Sequence, residues 1–143
     1  MATKMKSPPK RKSAKKPPAR VKVLLVEDDE FLAKIVTEKL VLSGFEALYA
    51  KDGSAALKAA SAKLPDAILL DILIPKMDGF EVLQRLKNDP KTKHIPVLML
   101  TNLGKREDVD RALKLGAAEY LIKAHFAPAD MIDRLNKVLD KRS

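Results

Sequence analysis

Ala67-Ile68-Leu69-Leu70-Asp71-Ile72-Leu73-Ile74-Pro75-Lys76-Met77-Asp78-Gly79 decides the fold of this chain. A short apolar run with no polar face reads as a central strand of a parallel sheet, covered on both sides. Asp71 ends the run and should stand at the strand's carboxyl end. Ligand sites of open α/β sheets lie at that edge. An earlier run, Val21-Lys22-Val23-Leu24-Leu25-Val26, ends in Glu27-Asp28-Asp29-Glu30. If the two strands are neighbours, three or more carboxylates meet. Close like charges raise one another's pKa unless a cation joins them. The pattern points to a hard divalent metal with oxygen ligands.

Outward from these runs, strand and helix signals alternate. Residues 21–27 form a first strand, and Asp29 is placed to cap a helix over 30–43 whose apolar face is Leu32, Ile35, Val36 and Leu40. Gly44 ends that helix. A strand over 45–50 and an Ala-rich helix over 54–63 follow, then the strand 67–71 and a helix over 79–88 with Phe80, Leu83 and Leu86 on one face. Asp78-Gly79 reads as a turn and helix start. A fourth strand covers 95–101, a helix 105–115, a fifth strand 119–123, and a last helix runs from Pro128 to near Asp140. Five βα units predict an α/β fold, a doubly wound five-stranded parallel sheet with right-handed crossovers.

The chain has 143 residues, no cysteine and a net charge of +9. It holds enough residues for one domain with a real core. No apolar run approaches the ~18 residues that span a bilayer. The absence of cysteine excludes disulfides and Cys-ligated metals. Residues 1–22 carry nine Lys/Arg and no acid, which leaves 19 basic and 19 acidic residues in the rest. The basicity therefore belongs to the tail. Residues 1–20, with Pro8-Pro9 and Pro17-Pro18, read as a disordered basic tail before a domain at 21–143. The tail has three readings: a solvated leader, a nucleic-acid contact through phosphate neutralisation, or a contact with an anionic membrane or acidic partner. No aromatic residue interleaves it for base stacking.

Strand ends bring Asp28 and Asp29, Asp71, Thr101 and Lys123 to one edge. Alone, Asp28 and Asp29 would read as helix caps and Lys123 as a solvated lysine. Together they suit phosphoryl transfer to a carboxylate. Asp71 is the expected nucleophile. Asp28 and Asp29 are expected to hold Mg²⁺. Lys123 pairs with one phosphoryl oxygen and Thr101 hydrogen-bonds another. No Ser-His pair, Gly-x-Gly-x-x-Gly or P-loop is present. His94 and His125 share no metal-ligand spacing.

Leu24-Leu25-Val26-Glu27-Asp28-Asp29, Leu70 through Gly79, Leu100-Thr101 and Tyr120-Leu121-Ile122-Lys123 resemble the receiver domain of two-component response regulators. The resemblance covers about residues 21–141. It implies a flavodoxin-like sheet of strand order 2-1-3-4-5. It implies a stand-alone cytoplasmic signalling switch rather than a turnover enzyme, with Asp71 accepting a phosphoryl group from a sensor histidine kinase or phosphotransfer protein. The metal set would be Asp28, Asp29, Asp71 and the Leu73 carbonyl. Thr101 and Tyr120 would be the switch pair, altering a face of the fourth helix, fifth strand and fifth helix for a downstream protein target or a phosphorylation-dependent homodimer. The alternative is a nucleic-acid-associated regulator acting through its basic tail. The sequence departs from the family pattern in places: Ala124 stands where Pro is usual, Asn102 where a small residue is usual, and Leu73 and Leu103 are apolar at positions that in the family influence hydrolysis of the acyl phosphate, which implies a long-lived phosphorylated state. An X–Ala bond strongly favours trans, so the loop is either strained or rearranged.

Overall fold

The apolar runs form a sheet because their residues fit a pleated surface covered on both sides. The structure, a computed structural model, describes residues 20–142. The basic tail predicted over 1–20 lies outside the described residues, save Arg20. The elements are β1 (Lys22–Val26), α1 (Glu30–Leu42), β2 (Glu46–Ala50), α2 (Gly53–Lys63), β3 (Ala67–Leu70), α3 (Gly79–Asn88), β4 (Val97–Thr101), α4 (Arg106–Lys114), β5 (Glu119–Ile122) and α5 (Pro128–Arg142). A 3-10 turn, Lys123–His125, lies between β5 and α5. All strands are parallel, in the order β2-β1-β3-β4-β5 expected from the resemblance.

Side chains alternate across the sheet and build two cores. Leu24, Val26, Ile68, Leu70, Val97 and Met99 meet Ala56 and Ala60 of α2, Phe80, Leu83 and Leu86 of α3, and Ala112 of α4. Val23, Leu25, Leu69, Leu98, Leu100 and Leu121 meet Val36 and Leu40 of α1 and Met131, Ile132 and Leu135 of α5. Asp29, Asp52 and Asp78 cap α1, α2 and α3 through N–H groups of the first turn. Gly44 and Gly116, both at positive φ, follow α1 and α4.

The differences from expectation are local. β4 begins at Val97 rather than Ile95, because Pro96 has no N–H to give a ladder. Lys123 leaves β5 and opens the 3-10 turn, and its bond to Ala124 is trans. On α1, Ala33 takes the buried position expected of Ile35, which is 36% exposed. Among the described residues no helix is long and apolar enough to cross a membrane.

Candidate functional site

The parallel ladder sets the site by register. Val26 pairs with Leu70, so the residues after each, Glu27 and Asp71, emerge side by side. Two backbone bonds fix them: Glu27 N–H donates to the Ala50 carbonyl, and Asp71 N–H to the Val26 carbonyl. Thr101 closes β4 opposite Ile122, and Lys123 is the next residue. Glu27 and Asp71 are buried at 1% and 5% exposure, and Thr101 is fully buried.

Lys123 Nζ lies 2.8 Å from Asp71 Oδ2 and 2.6 Å from Glu27 Oε1. The ammonium thus joins two buried carboxylates, and removing either partner of such a pair leaves an uncompensated charge. Burial, with the Asp71 charge adding to it, holds the Glu27 carboxyl above its ordinary range against the pull of Lys123 and the Asp29 N–H. Burial alone would lower the Lys123 pKa, but its bonds to Asp71 and Glu27 outweigh that and hold it above the usual value.

Glu27, Asp28 and Asp71 each offer a carboxylate oxygen, all within 4.8 Å of one another. Asp28 is exposed, which opens the cluster to solvent. Beyond its ion pair, Glu27 Oε1 receives no hydrogen bond. Three carboxylates against one ammonium leave a net charge of −2, and the donors are hard oxygens. The residues fit a hard divalent cation.

Asp29 is not brought into this cluster. Its Oδ1 accepts from the N–H groups of Phe31 at 3.0 Å and Leu32 at 3.2 Å, and so caps α1. The residue that joins Asp28 and Asp71 is Glu27, one position earlier. Its signal in the sequence is position: it is the first acid after the apolar run and takes the next buried place. The Leu73 N–H donates to Asp71 Oδ1 at 3.2 Å, so the β3–α3 loop folds back over Asp71. Tyr49, not singled out from the sequence, donates its hydroxyl to the Glu27 carbonyl at 2.7 Å.

Thr101 and Tyr120 are linked through Leu103. Thr101 Oγ1 accepts from the Leu103 N–H at 3.3 Å, and the Tyr120 hydroxyl donates to the Leu103 carbonyl at 2.6 Å. Tyr120 is half-buried and packs against the α2–α3–α4 core. His94 and His125 are exposed.

The family model of the response regulator receiver domain matches residues 23–136. The response regulator PleD of Caulobacter vibrioides is 39% identical over 125 residues, which span 84% of this chain and 28% of that protein. The DNA-binding dual master transcriptional regulator RpaA of Synechocystis is 38% identical over 118 residues, 82% of this chain and 48% of its own length. The chain thus spans about a quarter to a half of these curated relatives. Among solved structures, the chemotaxis response regulator CheY4 of Vibrio cholerae superposes with a TM-score of 0.78 at 32% identity, covering 84% of this chain and 99% of that one. With buried Asp71, the flanking Lys123 and the 2-1-3-4-5 sheet, these matches place the chain in the response regulator receiver domain family of two-component signalling.

Proposed function

We propose that this receiver domain is a phosphorylation switch that takes a phosphoryl group on Asp71 from the phosphohistidine of a sensor kinase or phosphotransfer protein. The observation that carries the reading is Asp71 itself: a buried carboxylate with Lys123 Nζ at 2.8 Å and two further acids beside it. An Asp71 oxygen attacks phosphorus. The O–P bond forms as the P–N bond breaks, and the departing imidazole nitrogen keeps the electron pair and takes a proton from solvent. Lys123 is placed to follow the charge onto the phosphoryl oxygens, and Thr101 to hydrogen-bond one of them. Glu27, Asp28 and Asp71, with the Leu73 carbonyl, would hold Mg²⁺, which supplies neutralisation of the incoming charge. A solved relative supports a divalent cation here: the Mn(2+)-bound form of response regulator Rcp1 is 36% identical, with a TM-score of 0.65 over 71% of this chain and 80% of that one.

The readout follows from the Leu103 link. If Thr101 Oγ1 turns to a phosphoryl group, the Leu103 N–H loses its acceptor and the carbonyl holding Tyr120 is free to shift. α4 is suited to respond: Ala112 is its buried residue, and Lys105 before it gives no side-chain cap. The α4–β5–α5 face would then meet a downstream protein or a second copy. The switch is stoichiometric, and its setting is cytoplasmic.

Incubation with acetyl phosphate and Mg²⁺ tests the reading. The natural chain should be labelled at Asp71 and Asp71→Asn should not. Equal labelling of the two would remove it. A second reading, nucleic-acid contact through the tail, is favoured by the charge division. Deleting residues 1–20 should abolish salt-sensitive DNA binding under that reading, and unchanged binding would end it.

A further inference from the structure

Two of the positions that depart from the receiver pattern, Asn102 and Ala124, touch each other. Proline at 124 would bring no backbone donor, whereas alanine brings an N–H that can donate. The Ala124 N–H donates to Asn102 Oδ1 at 3.2 Å. Glycine or alanine at 102 has no side-chain oxygen to accept it. Each departure supplies one half of this bond.

The position of this bond gives it a consequence for the site. Asn102 directly follows Thr101, and Ala124 directly follows Lys123. The β4–β5 ladder ends with Thr101 opposite Ile122. The Asn102 carboxamide adds one further rung beyond it, from side chain to backbone. Lys123 stands between the last ladder rung and this added one, at the start of the 3-10 turn closed by Phe126 N–H on the Lys123 carbonyl. Its side chain then reaches 2.8 Å from Asp71 Oδ2. The backbone that aims the ammonium is thereby held on both sides by the segment that carries Thr101.

We propose that Asn102 is a positioning residue for Lys123: its carboxamide holds the Ala124 N–H, aims the ammonium at Asp71 and ties the Thr101 segment to the Lys123 loop. The proposal rests on the reading of Asp71 as acceptor. Asn102 and Ala124 are exposed, so water replaces the lost partner in a truncated variant and global stability changes little. Aim is affected more than folding. Displacing a charge-stabilising group by about an ångström slows reactions by factors of ten or more.

The test uses the full chain with Mg²⁺ and acetyl phosphate. Asn102→Ala should slow Asp71 labelling by about five- to twentyfold at saturating donor, with the half-saturating donor concentration nearly unchanged. In a Lys123→Ala background the same substitution should have no further effect, because the residue acts through the lysine. The side-chain ¹H–¹⁵N signal of the Lys123 ammonium gives a second measurement that needs no turnover. It should be sharp in the natural chain and broadened in Asn102→Ala. Labelling of Asn102→Ala as fast as the natural chain, or an unchanged ammonium signal, overturns the proposal. An unlabelled natural chain would instead fault the acceptor reading beneath it.

Discussion

A carboxylate at the start of a helix can bond the free N–H groups of the first turn or face a cation, and one oxygen pair serves one task well. Asp29 takes the first task, and exposed Asp28 faces the cluster. Asp28→Ala should therefore lower Mg²⁺ affinity by at least about tenfold, with little change in stability. Asp29→Ala should cost ~1 kcal/mol of stability and leave Mg²⁺ affinity within about twofold. Titration calorimetry and urea unfolding of both variants separate the two outcomes. Reversed effects would return Asp29 to the metal set. Both roles for Asp29 were visible in the sequence, and a string of four acids does not say which one the last strand residue turns inward. Tyr120 gives a pH dependence. Burial, then the charges of Asp108 and Asp71, push its hydroxyl up to about 12. An unfolded tyrosine titrates near ~10, so between these values the folded state keeps a proton that the unfolded state has lost. The contribution is complete below the lower value and is lost as pH rises through the upper one. The stability advantage over Tyr120→Phe should shrink across that window in urea unfolding, and an advantage that grows with pH would contradict the assignment.

At the scale of elements, α3 is set against the end of β3 with no room for a methyl group. A Cβ on Gly79 would meet Ile72 Cα at 2.6 Å, with the Asp71 carbonyl oxygen closer still. The Gly79 N–H donates to the Ile72 carbonyl at 2.8 Å, so the helix start is pinned where it is. Gly79→Ala should cost ~2–4 kcal/mol in urea unfolding, because backbone on both sides must shift. A cost below ~0.5 kcal/mol would mean that the β3–α3 loop yields easily. On the far side, Gly53 N–H donates to the Pro75 carbonyl, and a Cβ there would meet Met77 Cβ at 2.8 Å. The loop over Asp71 is thus held between two helix starts. The elements themselves were legible, since strands and helices here differ in period and end at Gly, Pro or Asp. The face of α1 was less so. Leu32, Ile35, Val36 and Leu40 share a helical stripe, yet the sheet takes Ala33, Val36 and Leu40, and Phe31 stays 75% exposed. Apolar spacing locates a face to within a residue and does not reveal a small residue that lets the helix sit closer.

Across the whole molecule, adjacent residues of one strand serve different cores. Leu69 enters the α1–α5 side and Leu70 the α2–α3–α4 side. Because both cores share the sheet, Leu69→Ala and Leu70→Ala should each cost ~2–5 kcal/mol and shift a single unfolding transition. Far-ultraviolet dichroism and tyrosine fluorescence should give coincident curves, and separated curves would show two independent halves. Strand order was not derivable from periodicity and came with the family resemblance. The neutral body beneath a basic tail, by contrast, needed only the charges counted along the chain.

The strand order also dictates when the site's charges meet during synthesis. β1 lies between β2 and β3, so the first three strands to leave the ribosome can already form one contiguous side of the sheet, up to its central strand. Glu27, Asp28 and Asp71, which stand together in the fold, all emerge about fifty residues ahead of Lys123. A nascent chain therefore assembles its acids ahead of the ammonium that compensates them, and their repulsion opposes early closure of that edge. Docking of β5 is then the step that completes the sheet and brings in the ammonium that offsets one of the three charges.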